Sequence, residues 1–262
     1  MSTPDAGGRP PGDPACKVTT DDHGQVRVIT LNHPRRRNVL DLAARLELLG
    51  ALRTAEAESR AVVLTGAGGF FSAGGDIRAM SGVPSEAGAR LDVLGALAGQ
   101  LVHSAIPVVA AVEGGAYGAG LSLVSAATYA VSGATARYEA SFGKIGLAPD
   151  TGLSWTLPRR IGHSKARQMM LLPHPIEAPA ALEAGLVDEV VDDGRALARA
   201  IEVATRLSEL SAPMIAGVSR LLAQDHGSLD AATAAEARLQ IALLQTQEAI
   251  SLRSRFLHRS TS

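Results

Sequence analysis

Two glycine-rich turns carry the residue types best suited to chemistry in this sequence. The first covers 70–77 (FFSAGGDI) and the second covers 112–120 (VEGGAYGAG). Each follows an apolar, strand-like run, where backbone N–H groups lack partners within the chain and point outward. Glycine lets a ligand approach the backbone closely, and two N–H groups that converge on one oxygen form an oxyanion hole. Either turn alone is more typical of a tight turn in an ordinary α/β protein.

The motifs of several other kinds of chemistry are missing. No glycine loop ends in Lys-Ser or Lys-Thr as a P-loop does, and the loop 66–71 lacks the last glycine of a dinucleotide-binding fingerprint. The segments 120–124 and 152–156 do not close as nucleophile elbows. The seven histidines include no pair at metal-ligand spacing. The sequence therefore argues against hydride transfer, covalent hydrolysis and metal catalysis, and we expect no metal site.

Length, charge and cysteine content indicate the class of protein. A chain of 262 residues can bury a core without disulfides or a structural metal. The formal net charge of −1 argues against a nucleic-acid partner, and the single Cys16 suits a reducing compartment, so we expect a cytoplasmic location. Residues 1–15 contain four prolines and are predicted to be a disordered tail. The apolar stretch 105–131 is interrupted by one proline and four glycines, which disfavours a membrane span.

Strands alternate with helices along most of the chain. Apolar and β-branched runs predict strands at 25–32, 61–66, 107–112, 129–132, 137–142 and 186–191. Helical periodicity predicts helices at 40–58, with Asp41 as a candidate N-cap, at 86–103, and after the second glycine turn. Two long helices are predicted after Asp193. This alternation indicates an α/β fold with a largely parallel sheet, followed by a helical lobe.

An ordered series of motifs resembles the enoyl-CoA hydratase/isomerase (crotonase) family. The motifs are LNHPRRRNVLD (31–41), FFSAGGDIRAM (70–80), PVVAAVEGGAYGAGLSLV (107–124), SFGKIGLAPDTGLSWTLPRRIG (141–162) and EAGLVDEVV (183–191). The resemblance implies a β-β-α superhelix core over 16–200 and a helical C-terminal lobe over 201–262 for trimerisation and site closure. It also implies a homotrimer or dimer of trimers, an acyl-CoA thioester substrate, no separate cofactor and no membrane partner.

The same resemblance assigns positions in the site. It places the donors of the oxyanion hole at the backbone N–H groups of Gly75 and Ala119, where alanine replaces the more usual glycine but keeps the donor. The turn 35–38 matches a segment that lies against the adenine end of CoA, although adjacent arginines are equally typical of a solvated charge run. For Asp76 a structural role in its turn is favoured, and Trp155 also suits the core. The positions predicted to contact substrate or CoA are Arg36, Arg37, Ala73, Gly74, Asp76, Ile77, Gly118, Ser122, Phe142 and Trp155.

Carboxylates beside the acyl group decide which reaction follows enolate formation. Hydratases of this family use two glutamates, and the matching positions here hold Ser122 and Phe142, which puts simple hydration in doubt. Asp150 matches an aspartate that several isomerases of the family place beside the acyl chain, and 144–152 resembles the isomerases of phenylacetate-type ring degradation. We therefore predict an enoyl-CoA isomerase in which Asp150 is the catalytic acid and base.

Three other interpretations stay open at this point. Asp150 precedes Thr151-Gly152 and is also a good N-cap for a helix. A hydratase could recruit other carboxylates, such as Glu113 from a solvent-facing turn or Glu139 from a strand edge. A catalytically silent CoA-binding subunit would keep the fold without either glutamate.

If Asp150 is a base, we expect apolar neighbours such as Phe142, Leu147 and Trp155 to raise its pKa. The segment 81–92 is expected to border the acyl pocket.

Overall fold

The protein is represented by a computed structural model, which describes residues 16–80 and 82–259. The predicted tail at 1–15 lies outside these residues. The strands are β1 Val18–His23, β2 Val26–Leu31, β3 Ala61–Gly66, β4 Val108–Val112, β5 Gly115–Tyr117, β6 Tyr129–Gly133, β7 Arg137–Glu139, β8 Ile176–Glu177 and β9 Glu189–Val191. The helices are α1 Leu42–Glu58, α2 Pro84–Val102, α3 Ala119–Ala126, α4 Leu153–Ile161, α5 His163–Leu171, α6 Ala178–Glu183, α7 Ala196–Ser208, α8 Ala212–Ala223, α9 Leu229–Leu244 and α10 Gln247–Arg259.

Two sheets organise the α/β core. The larger sheet has the order β1-β2-β3-β4-β6-β9, and only β1 runs antiparallel to its neighbour. The smaller sheet has the order β5-β7-β8. Because β5 follows β4 directly and leads into α3, the second glycine turn lies between the two sheets. An isolated bridge from Ser72 to Ala116 brings the first glycine turn to the same place.

Alternate residues of the parallel strands face two separate layers of helices, as the period of a strand requires. On one face, residues such as Ile29 and Leu64 pack in a core that includes α1, α2 and α3. On the other face, Val28 and Val63 pack in a second cluster with the small side chains of α7. The boundary predicted at residue 200 therefore falls inside a helix that belongs to the sheet.

Several predicted elements differ in the structure. The strand predicted at 137–142 ends at Glu139, and a short 3-10 turn follows at Ser141–Ile145. The C-terminal part forms four helices, α7 to α10, instead of two. α8 ends where Gln224 becomes extended, and in the loop that follows Gly227 adopts φ +66° and the Ser228 hydroxyl caps α9 by accepting from the Ala231 N–H. The sequence pattern also missed β1, whose residues after Val18 are exposed.

Candidate functional site

The first glycine turn is held in place by one buried amide, that of Asn38. Its Oδ1 accepts a hydrogen bond from the His33 N–H at 2.8 Å, and its Nδ2 donates to the carbonyl groups of Ala67 and Phe70. Asn38 also adopts a left-handed backbone conformation, φ +54°, which asparagine tolerates better than most residues. The Asn38 side chain therefore links the arginine-rich turn to the first glycine turn.

Replacing Asn38 by alanine is expected to destabilise the fold by about 3 kcal/mol, since buried donors and acceptors lose their partners. The free energy of unfolding in urea measures this loss. The matched control is Asn32→Ala, because Asn32 donates a single side-chain hydrogen bond, to the Cys16 carbonyl at an exposed site. Equal losses in both variants would contradict the assigned role of Asn38.

Ser72 continues this network toward the candidate oxyanion hole. Its hydroxyl donates to the Asn38 carbonyl at 2.8 Å and accepts from the Gly74 N–H at 3.1 Å. The Gly74 carbonyl in turn accepts from the Leu40 N–H at 2.7 Å. Among the described hydrogen bonds, none uses the N–H of Gly75. The turn thus occupies the donor of one glycine and leaves the next one available.

The second glycine turn presents the start of α3 to the first turn. Gly118 adopts φ +51° and ψ −120°, a combination that favours glycine, and α3 begins at the next residue. The N–H of Ala119 is therefore one of the first donors of a helix, which have no intrahelical acceptor and lie at the positive end of the helix dipole. This geometry places a second available backbone donor at Ala119.

The two turns touch through positions where no side chain fits. A Cβ on Gly74, whose φ is +85°, would lie 2.5 Å from the Tyr117 carbonyl oxygen and 3.2 Å from the Ala119 nitrogen. A Cβ on Gly120 would lie 2.8 Å from the Ser72 carbonyl oxygen. These close approaches bring the segment of Gly75 beside the N-terminus of α3, as an oxyanion hole requires.

Asp150 lies beside α3 on the turn that precedes α4. Ser122 of α3 donates from its hydroxyl to the backbone carbonyl of Asp150 at 3.2 Å. The Asp150 carboxylate accepts a hydrogen bond from the Thr151 hydroxyl at 2.9 Å. The N-cap of α4 is Gly152, so the interpretation of Asp150 as a helix cap is wrong. Its side chain is instead available to the cavity next to the turn.

That cavity has a volume of about 380 Å³ and combines apolar walls with charged groups. Its lining includes Leu42, Met80, Leu91, Leu94 and Leu147 together with Asp41, Arg45, Asp76, Arg90 and Asp150. Burial raises the pKa of Asp150, although the Thr151 hydroxyl and the positive charge of Arg45 partly oppose the shift. The predicted increase in the pKa of Asp150 is therefore confirmed. Leu91 also confirms that the segment 81–92 borders this pocket.

A second cavity, of about 490 Å³, adjoins the first at Asp76 and is rich in arginine. It brings together Gly75 and five of the ten positions predicted to contact substrate or CoA, and its lining is Arg35, Arg36, Arg37, Val39, Ala73, Gly75, Asp76, Ile77 and Arg78. Guanidinium groups in such a groove suit phosphate oxygens. Asp76 accepts from Arg36 Nη2 at 2.7 Å and from the Arg78 N–H at 3.2 Å, which is the structural role favoured for it.

Two of the predicted positions, Phe142 and Trp155, line neither of these cavities. Phe142 is buried beside the second turn, where a Cβ on Gly118 would lie 3.8 Å from its ring. Trp155 is not brought to the Asp150 cavity: it is 40% exposed, lies under the Arg159 guanidinium and lines a different groove with Ser104. Trp155 is therefore not one of the apolar neighbours in the cavity of Asp150 that were expected to raise the pKa of this residue.

The alternative carboxylates have structural partners elsewhere. Glu113 is half-buried at its turn and accepts hydrogen bonds from the N–H groups of Gly194 and Ala196, at 2.9 and 3.0 Å, so its carboxylate caps α7. Glu139 is buried on the central strand of the smaller sheet and pairs with Lys144 at 2.5 Å, so a strand edge is wrong. Neither residue lines the cavity that holds Asp150.

Sequence reasoning missed one polar residue of this cavity, Arg45. Its side chain is 6% exposed, and its Nε donates to the Leu40 carbonyl at 2.8 Å. A Cβ on Gly75 would lie 3.4 Å from Arg45 Nη2, so the guanidinium adjoins the candidate oxyanion hole. The available signal was an arginine among leucines and alanines in 42–52, on the face that α1 buries.

The site combines two closely packed glycine turns, which carry the candidate donors Gly75 and Ala119, with the carboxyl group of Asp150 and an arginine-rich groove. A sequence model of the family described as enoyl-CoA hydratase/isomerase matches residues 21–260. The chain belongs to the enoyl-CoA hydratase/isomerase family, and its α/β architecture is the crotonase fold.

Individual relatives agree with this assignment. The chain is 41% identical over 169 residues to a probable enoyl-CoA hydratase of Rhodobacter capsulatus, across 63% of this chain and 65% of that relative, just under two thirds of its length. It is 34% identical over 247 residues to a probable enoyl-CoA hydratase of Mycobacterium bovis, across 88% of this chain and 87% of the relative. The crystal structure of an enoyl-CoA hydratase from a Polaromonas species matches with a TM-score of 0.87 and 29% identity, across 92% and 97% of the two chains.

A membrane-crossing helix is not found among residues 16–80 and 82–259, since none of the helices there is both long and apolar enough.

Proposed function

We propose that the protein is an enoyl-CoA isomerase that shifts a double bond through a thioester enolate. The observation that carries this proposal concerns the ion pairs of the three carboxyl groups in the cavity beside Asp150, which is the proposed acyl cavity. Asp41 pairs with Lys17 at 3.6 Å and Asp76 pairs with Arg36, whereas Asp150 forms no ion pair within the described residues. Asp150 is therefore the carboxyl group in this cavity that is free to move a proton.

The proposed reaction uses one carboxyl group twice. With a 3-enoyl-CoA, the Asp150 carboxylate removes a proton from C2, and the electron pair delocalises onto the thioester oxygen and C4. The N–H groups of Gly75 and Ala119 stabilise the negative oxygen, each donor contributing about 3–4 kcal/mol in comparable sites. The protonated Asp150 then returns the proton to C4, which yields a 2-enoyl-CoA without a water molecule. Ser122 and Phe142 offer no second carboxyl group for hydration.

The arginine-rich cavity supports acyl-CoA as the substrate class. It lies next to Gly75 and carries Arg35, Arg36, Arg37 and Arg78, which suit the phosphate groups of CoA. We also propose a cytoplasmic homo-oligomer, a trimer or a dimer of trimers. Large apolar side chains on α8 and α10 support this assembly, since Leu222 is 75% exposed and Phe256 is 72% exposed.

Hydration is the second candidate function, favoured by the names of the relatives, which are described as probable enoyl-CoA hydratases. It would require Asp150 to serve with a water molecule in place of two glutamates. Isomerisation is preferred because the same carboxyl group suffices for both proton transfers.

Proton exchange followed by NMR tests the proposed function directly. A 3-enoyl-CoA incubated with the protein in deuterium oxide is expected to incorporate deuterium at C2 or C4 as it becomes a 2-enoyl-CoA. Formation of a 3-hydroxyacyl-CoA from crotonyl-CoA without double-bond migration would favour the hydratase. Binding of the thioesters without exchange would indicate a silent CoA-binding subunit.

A further inference from the structure

One buried cation of the acyl cavity, Arg45, has no carboxylate partner among residues 16–80 and 82–259. Arg45 is 94% buried, and the only hydrogen bond described for its side chain runs from Nε to the Leu40 carbonyl. Within the described residues, no acceptor bonds its Nη1 or Nη2, and no carboxylate lies within 4.0 Å of them. A buried charge is costly unless it is paired and hydrogen-bonded, so these two nitrogens need a partner from outside the described chain.

A second cation, Arg90, lines the same cavity as Arg45. Burial lowers the pKa of Arg45 and the positive charge of Arg90 adds to this shift, while the carboxylates of Asp150, Asp41 and Asp76 oppose it. The Arg90 guanidinium is committed to the Ala79 carbonyl and is not paired with a carboxylate among the described residues. An anionic group bound between Arg45 and the cavity wall would relieve the repulsion between the two cations.

Arg45 lies close to Gly75, one of the two proposed donors to the thioester oxygen. Its Nη2 would lie 3.4 Å from a Cβ on Gly75, whose N–H is a proposed donor to the thioester oxygen. The cavity volume of about 380 Å³ corresponds to roughly a dozen atoms the size of water at ~30 Å³ each. A short acyl chain therefore fits in this cavity, and the Arg45 guanidinium is part of the wall that it would contact.

We propose that Arg45 selects short acyl groups that end in a carboxylate, and this proposal rests on the proposed acyl-CoA site. The two terminal nitrogens of a guanidinium match the two oxygens of a carboxylate, which gives both charge and geometry to the recognition. The inference extends the proposed isomerase to dicarboxylic monothioesters, of which glutaconyl-CoA is a chemical example.

Binding of two saturated thioesters tests this selectivity without any turnover. Glutaryl-CoA and pentanoyl-CoA have acyl chains of five carbons and differ in the terminal carboxylate. Isothermal titration calorimetry is expected to show glutaryl-CoA binding at least about tenfold more tightly to the wild-type protein, because a charged hydrogen bond is worth about that factor. In Arg45→Met the preference is expected to reverse, with pentanoyl-CoA binding retained. In Arg45→Lys part of the preference is expected to remain.

The matched control is Arg53→Met, which makes the same substitution on the exposed face of α1 and is expected to keep the preference. Equal binding of the two thioesters by the wild type, or an equal change for both in Arg45→Met, would overturn the inference and leave Arg45 a structural residue. Deuterium exchange would then still support the proposed function. If neither thioester binds, the acyl-CoA site and the inference both fail.

Discussion

Replacing Asp150 by asparagine is expected to lower kcat for 3-enoyl-CoA isomerisation by about 10²- to 10⁴-fold, the usual contribution of a positioned general acid or base. Asparagine keeps the shape of the side chain but neither removes nor returns a proton at C2 and C4. The KM is expected to change little, because the groove that holds CoA is formed by other residues. Steady-state kinetics and deuterium exchange measure both effects.

The pH dependence of the wild-type enzyme gives a second measurement. Burial raises the pKa of Asp150, so its carboxyl group keeps its proton to a higher pH than an exposed aspartic acid does. Because the base form starts the reaction, kcat/KM is expected to rise with pH through this raised pKa. Stability has the opposite dependence: a raised carboxyl pKa favours the folded state at low pH, and that contribution is lost as pH rises through it. Asp150→Asn is therefore expected to be at least as stable as the wild type at neutral pH.

Two controls separate catalysis from folding. Asp92→Asn makes the same change at an exposed position of α2 and is expected to leave kcat unchanged. Thermal unfolding of both variants shows whether each is folded at the assay temperature. An Asp150→Asn protein with wild-type kcat would refute the role of this carboxyl group and leave the isomerase proposal without its base.

Replacing Gly74 by alanine is expected to reduce kcat by about 10²- to 10³-fold, comparable to the loss of one oxyanion donor. The new Cβ would lie 2.5 Å from the Tyr117 carbonyl oxygen and would force the turn away from α3. The φ of +85° at this position further disfavours a side chain. Since Gly74 moves together with Gly75, the two donors would no longer converge on one oxygen. Steady-state kinetics with a 3-enoyl-CoA measures the loss.

The matched control for Gly74 is Gly88→Ala in α2. A Cβ at Gly88 meets nothing within 4 Å, and alanine favours a helix over glycine by about 1 kcal/mol. This variant is expected to keep full activity and gain stability. A fully active Gly74→Ala protein would show that the approach of the two turns is not needed for catalysis.

Local signals were enough to predict much of the architecture and of the site. The β-branched runs predicted β2, β3, β4 and β6 because buried parallel strands have continuous apolar sequences. Asp41 was correctly predicted as an N-cap, and its side chain accepts from the Ala44 N–H at 2.9 Å. The two glycine turns were found because close backbone contact leaves glycine as the residue that fits.

Long-range contacts account for what sequence reasoning missed. Glu113 has no local signal for capping α7, since its acceptors are used by N–H groups 81 and 83 residues further along the chain. Arg45 lies on the face of α1 that the helical period assigns to the core, and only the folded structure shows that it lines a cavity. Trp155 was assigned to the pocket by motif position, whereas α4 turns its ring toward another groove. Pairwise packing across the fold decides all three.

The contact between the glycine turns has an evolutionary consequence. In the proposed mechanism the thioester is polarised by main-chain groups, so substitutions at side chains around them would leave these groups in place, provided that Gly74 and Gly120 are kept. The side chains proposed to choose the outcome are those at 122, 142 and 150, on α3 and on the segments beside it. Under this proposal a lineage would exchange one reaction for another by replacing one or two side chains, while the costly step of enolate formation would be inherited unchanged.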